Sequence, residues 1–179
     1  MNFDISAVMQ KIIIKTKQNA QNIGDSFPYN EIDGKYKNEK ITAWTNGYWP
    51  GLLWQVYDVC NDAELMKLAN TLEEKLDITI NTNTVPGHDV GFVWLLSSGQ
   101  NYKLTKNPES KRRLMQMANY LAGRFNIVGN YIRAWDSEDG NDFFPCLAII
   151  DCTMNIPLLE WASKETGDPR FSHIAKAYE

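Results

Sequence analysis

Apolar residues between Phe3 and Asn22 recur at helical spacing, at Ile5, Val8, Met9, Ile12 and Ile13. This predicts an amphipathic helix that Gly24 stops. Asp25 to Lys40 is polar, holds Pro28 and Asp33-Gly34, and reads as a loop with a turn. Pro50 suits the first turn of a helix running to about Cys60. Asn61-Asp62 breaks that helix and caps the next. Leu65, Leu68, Ala69, Leu72 and Leu76 then line one face at steps of 3, 1, 3 and 4. The same steps return at Leu114, Met117, Ala118, Leu121 and Phe125, and begin again at Phe171, Ile174, Ala175 and Tyr178. Each copy follows a polar break, at Asn61-Asp62, Asn107-Pro108 and Gly167-Asp168-Pro169. Each break in turn follows a more apolar helix, carrying Trp54, Trp94 or Trp161.

The repeated unit is therefore a greasy helix, a tight polar turn and an amphipathic helix. Ala69, Ala118 and Ala175 mark equivalent places, 49 and 57 residues apart, a period that indicates stacked helical hairpins. A helix apolar nearly all round is buried, and one with a single stripe lies outside. The pattern predicts an inner and an outer layer of helices, with Trp54, Trp94 and Trp161 in the core. An ordinary helical bundle is the alternative. Gly129 to Trp135 departs from the pattern and reads as extended. It runs into an acidic loop, Asp136 to Asp142, a long connection of the kind that is often functional.

Composition narrows the classes of function. The 179 residues are 44% hydrophobic with a formal charge of -4, which fits one folded domain and excludes a disordered chain. Lys111-Arg112-Arg113 is a short cluster beside Glu109 and not a nucleic-acid footprint. Cys60, Cys146 and Cys152 have no metal-ligand spacing and leave one unpaired, as expected of reduced thiols in the cytoplasm. No signal peptide or membrane span is apparent.

The candidate chemistry falls at one place in each unit, where an inner helix begins. Trp44 to Trp49 precede the first, His88-Asp89 the second, and Asp151 the third. If the inner helices run parallel, their N-termini share one mouth. Asp89 and Asp151 then meet across the sequence, with Trp44, Trp49 and Trp135 as aromatic walls. A sugar ring suits such a place, because its C–H faces pack on indole while its hydroxyls meet acids. Two neighbouring acids also resist double ionisation. The plainer alternative is that both aspartates only cap helices. His88 is equally a hydrogen-bond partner or a catalyst, and His173 belongs on the surface.

The set Trp44-Thr45-Asn46-Gly47-Tyr48-Trp49-Pro50-Gly51, His88-Asp89-Val90-Gly91-Phe92, Trp135 and Asp151-Cys152-Thr153-Met154-Asn155 resembles the unsaturated glucuronyl hydrolases, glycoside hydrolase family 88. The match runs from about Ile41 to the end. The resemblance implies an all-α fold, the (α/α)6 barrel of six hairpins in a ring. It implies a substrate with an unsaturated uronic acid at its non-reducing end, left by a polysaccharide lyase. Asp151 then resembles the acid/base and Asp89 the second essential aspartate, with Trp44, His88 and Trp135 around the sugar. No metal or organic cofactor is implied. About seven helices are legible where six hairpins need twelve, so residues 1–179 read as an N-terminal portion of the ring, a single truncated domain. Its open flank would invite self-association. Two alternatives stand beside this reading: an unsaturated rhamnogalacturonyl hydrolase, and a non-catalytic sugar-binding or helical-repeat module.

Overall fold

The computed structural model describes residues 4–136 and 147–178. The expected acidic loop, apart from Asp136, lies outside the described residues, as does Cys146. Among the described residues there are eight α-helices: α1 Ile5–Ile23, α2 Tyr48–Cys60, α3 Ala63–Asn81, α4 Val90–Leu96, α5 Ser98–Thr105, α6 Pro108–Gly123, α7 Ile156–Thr166 and α8 Pro169–Tyr178. None of them is long and apolar enough to cross a membrane.

The helices pair as the periodicity predicts. α2 packs on α3, α5 on α6 and α7 on α8, while α4 packs on both α2 and α7. The outer stripes face inward: Leu65, Ala69, Leu72 and Leu76 on α3 are buried, as are Leu114, Met117, Ala118 and Leu121 on α6. The breaks act as read. Asn61 ends α2 in the left-handed region, and the Asp62 carboxylate accepts hydrogen bonds from the N–H groups of Glu64 and Leu65. Asn107 caps α6 in the same way, through Glu109 and Ser110. Trp54 and Trp94 are fully buried, and one apolar cluster runs from Ile13 to Ala175.

Five details differ from the sequence reading. Residues 28–38 form a β-hairpin, with β1 Pro28–Ile32 antiparallel to β2 Lys35–Asn38. Asp33 and Gly34 both take positive φ, the two-residue turn whose twist lets flanking strands pair even where they are polar. On α1 the expected stripe stays largely outside: Ile5, Val8 and Ile12 are exposed, and only Ile13, Thr16 and Ile23 are buried. The second inner helix is two, split at Ser97, whose hydroxyl donates to the Val93 carbonyl and competes with the helical ladder. Phe125 leaves α6 and forms, with Asn126, the short strand β3 Phe125–Asn126, which pairs with β4 Tyr131–Ile132. Trp161 is half-buried, edge-on to Tyr102, and not core.

Candidate active site

Each inner helix is entered through a short 3₁₀ turn: Trp44–Gly47 before α2, Gly87–Asp89 before α4, and Ile150–Asn155 before α7. These turns carry the residues singled out from the sequence, and close backbone packing brings them together. Gly91, in the first turn of α4, lies against Asn155, where an added Cβ would fall 2.4 Å from the Asn155 Oδ1. That oxygen accepts the backbone N–H of Phe92 at 3.0 Å, a tie between α4 and the entrance of α7. On the other side, the His88 N–H donates to the Ala134 carbonyl at 3.3 Å. Arg124 holds that strand in place. Its guanidinium donates to the carbonyls of Arg133 and Ala134, at 2.8 and 3.1 Å, and pairs with Asp136 at 3.0 Å.

The two aspartates meet around His88. Its Nε2 lies 3.0 Å from Asp89 Oδ1 and 3.7 Å from Asp151 Oδ1. Its Nδ1 lies 2.9 Å from the sulfur of Cys152. His88 is buried, the Asp89 side chain nearly so, and the Asp151 side chain is 39% exposed. Burial alone would lower the histidine's proton affinity, but Asp89 and then Cys152 outweigh it and push His88 up to about 9. Neither aspartate caps its helix: no side-chain cap bond is made at α4 or at the turn before α7. The capping alternative therefore fails for both. Moreover, Asp89 Oδ1, Asp151 Oδ1 and His88 Nε2 are buried atoms with no aligned hydrogen bond. Buried polar atoms are normally paired, and these three face one another as charged neighbours.

A cleft of about 520 Å³ opens beside them, lined by Trp44, Pro86, Gly87, Asp89, Trp135 and Asp136. Trp44 and Trp135 are half exposed there, as walls should be. Trp49 is not a wall. It is buried and its indole N–H donates to the Gly24 carbonyl at 3.2 Å. The start of α2 turns Tyr48 toward the site instead. Tyr48 stacks on Phe92 and meets Trp44 edge-on, with centroids 6.0 and 6.1 Å apart. Burial first, then the nearby charges of Asp89 and Asp151, raise its hydroxyl above the usual tyrosine value. Tyr48, Cys152 and Asn155 are site residues that the sequence reading quoted but assigned no role. No local signal in the sequence marks any of the three. His173 is exposed on α8, as expected.

Another cleft, of about 580 Å³ between α1 and α3, is lined by the ion pair Lys17–Asp62 together with Ala20, Leu65 and Leu68. His88, Asp151 and Cys152 offer ligand atoms within 4.8 Å of one another, close enough to share an ion. The sulfur, however, is fully buried and lies at hydrogen-bonding distance, 2.9 Å, from the imidazole Nδ1.

No family model matches the chain. It is similar to an unsaturated glucuronyl hydrolase of Bacillus sp. (strain GL1), with 31% identity over 172 residues that span 91% of this chain and 44% of the relative. It is 32% identical over 174 residues to an unsaturated chondroitin disaccharide hydrolase of Streptococcus pyogenes serotype M1, spanning 96% of this chain and 43% of that one. A solved unsaturated glucuronyl hydrolase from Streptococcus agalactiae superposes with a TM-score of 0.88 at 26% identity, over 99% of this chain and 46% of that one. The chain thus spans less than half the length of these relatives, which fits the expected N-terminal portion. The fold is all-α and corresponds to part of an α/α barrel.

Proposed function

This chain is a homologue of the unsaturated glucuronyl hydrolases, and from that premise we propose that its site serves the hydrolysis of unsaturated uronyl oligosaccharides by hydration of their C4=C5 bond. The observation that carries the reading is His88 Nε2 bracketed by Asp89 Oδ1 at 3.0 Å and Asp151 Oδ1 at 3.7 Å, at the edge of a tryptophan-walled cleft.

The double bond of such a sugar is a vinyl ether. Asp151 donates a proton to C4, and positive charge develops at C5 and the ring oxygen. Water adds at C5 and gives its proton to the same carboxylate. The resulting hemiketal opens and releases the rest of the sugar. Proton transfer of this kind contributes on the order of 10²–10⁴-fold. Asp89, held against His88, orients the water and favours the cationic transition state. Trp44 and Trp135 take the apolar faces of the sugar, and Tyr48 closes the wall that Trp49 does not form.

The test follows the ultraviolet absorbance of the double bond with unsaturated disaccharides. Turnover that falls by about 10²–10⁴-fold in Asp151→Asn supports the reading. Equal rates in Asp151→Asn and the parent protein would sink it. The match to under half of each relative's length favours a second reading, a site that binds the sugar but turns nothing over. Calorimetric binding without loss of absorbance would establish it.

A further inference from the structure

The two ring nitrogens of His88 face different chemistry. Nε2 looks toward the carboxylates of Asp89 and Asp151, and Nδ1 meets the sulfur of Cys152 at 2.9 Å. Cys152 is 0% exposed and shares its 3₁₀ turn with Asp151. Its sulfur is fixed from other sides as well, 3.5 Å from the Ile149 N–H and 3.9 Å from the Ile132 carbonyl.

We propose that Cys152 is a positioning residue whose sulfur keeps a proton on His88 Nε2, where the imidazole offers it to the two carboxylates. The inference rests on the reading of Asp89 and Asp151 as the working acids. Proton counting supports it. If the thiol donates S–H to Nδ1, the neutral ring must carry its own proton on Nε2. If a thiolate accepts Nδ1–H instead, the ring is an imidazolium and Nε2 is protonated again. A bare Nε2 requires a neutral ring whose single proton sits on Nδ1 and points at the sulfur, and it would set a lone pair against two carboxylates.

The titratable groups facing this pair among the described residues are Asp89, Asp151, Tyr178 from α8 and, across the carboxylates, Tyr48 from α2. Burial pushes the Cys152 thiol up, but His88 and Tyr178 outweigh it and hold the thiol below its ordinary value. Tyr178 is pushed up by burial and by the same sulfur.

Nitrogen-15 NMR of the histidine rings tests the proposal. The chain has two histidines, and a His173→Gln variant assigns the spectrum. At neutral pH, the parent protein should show His88 protonated on Nε2. In Cys152→Ala the His88 midpoint should fall by about one unit, an ordinary environmental shift. Cys152→Ser, which keeps a polar partner for Nδ1, should stay closer to the parent midpoint. A bare Nε2 in the parent protein overturns the proposal without any variant at residue 152. So does a Cys152→Ala protein that titrates like the parent, or an active one whose kcat keeps the parent's pH limbs. Failure of the enzymatic reading appears separately, as no turnover by the parent protein, while the ring spectra still decide what the sulfur does.

Discussion

Two buried acidic centres lie in the same helical layers and are built in opposite ways. Glu73, on α3, is fully buried, and its oxygens are saturated. Trp54 Nε1 and Asn101 Nδ2 donate to Oε1 at 2.7 and 3.0 Å; Ser98 and Ser110 donate to Oε2 at 2.9 and 2.8 Å. Arg113 stands 3.6 Å away, itself tied to Asp77. Burial raises the carboxyl's pKa and the four donors pull it partway back. At the other centre, Asp89 and Asp151 each leave an oxygen without an aligned donor. One arrangement pins four helices together and has nothing left to offer a ligand. The other holds its groups in place through backbone ties and leaves their oxygens with His88 as a shared neighbour. Incomplete pairing, more than burial, is what separates the two centres.

That contrast can be broken by mutation. Glu73→Ala strips the partners of Trp54, Asn101, Ser98 and Ser110 at once and should cost about 3–5 kcal/mol in denaturant unfolding. Asp89→Asn keeps the side chain's shape and weakens only its pair with His88, so it should cost less in unfolding than Glu73→Ala while turnover falls. Similar stability losses in both variants would erase the distinction.

Next in size is Gly91→Ala. Its methyl group would collide with Asn155 and push the entrances of α4 and α7 apart. An overpacking cost of about 1–3 kcal/mol is expected, together with a loss of turnover out of proportion to it. Thermal melts and rates on the same preparation check this.

A smaller effect is expected from pH. His88 in the fold holds its proton more tightly than the ordinary value of 6.5, at about 9. Protonation therefore stabilises the fold, fully below about pH 6.5, and the contribution fades as pH rises through about 9. The unfolding midpoint should drop across that window in the parent protein and stay flatter in His88→Gln.

The hairpin architecture was legible because it rests on local periodicity: the stripes on α3, α6 and α8 needed no tertiary information. The convergence of Asp89 and Asp151 was legible at one remove, from their equivalent places in the repeat. Three features were not. The phase at the start of α2, which buries Trp49 and presents Tyr48, depends on a bond from the indole to Gly24 in another element. The α1 stripe looked like a core face, yet only the C-terminal half of that helix reaches the core. Cys152 showed no more than an unpaired thiol until its turn was folded against His88.

The three 3₁₀ entrances give the site a property of their own. Its aromatic wall, its His-Asp pair and its second acid arrive on separate hairpins, so the opening of any one of them dissolves the site before the remaining helices melt. Inactivation in mild denaturant should accordingly run ahead of the loss of helical circular dichroism, and the gap between the two curves would gauge how firmly the weakest entrance is clasped.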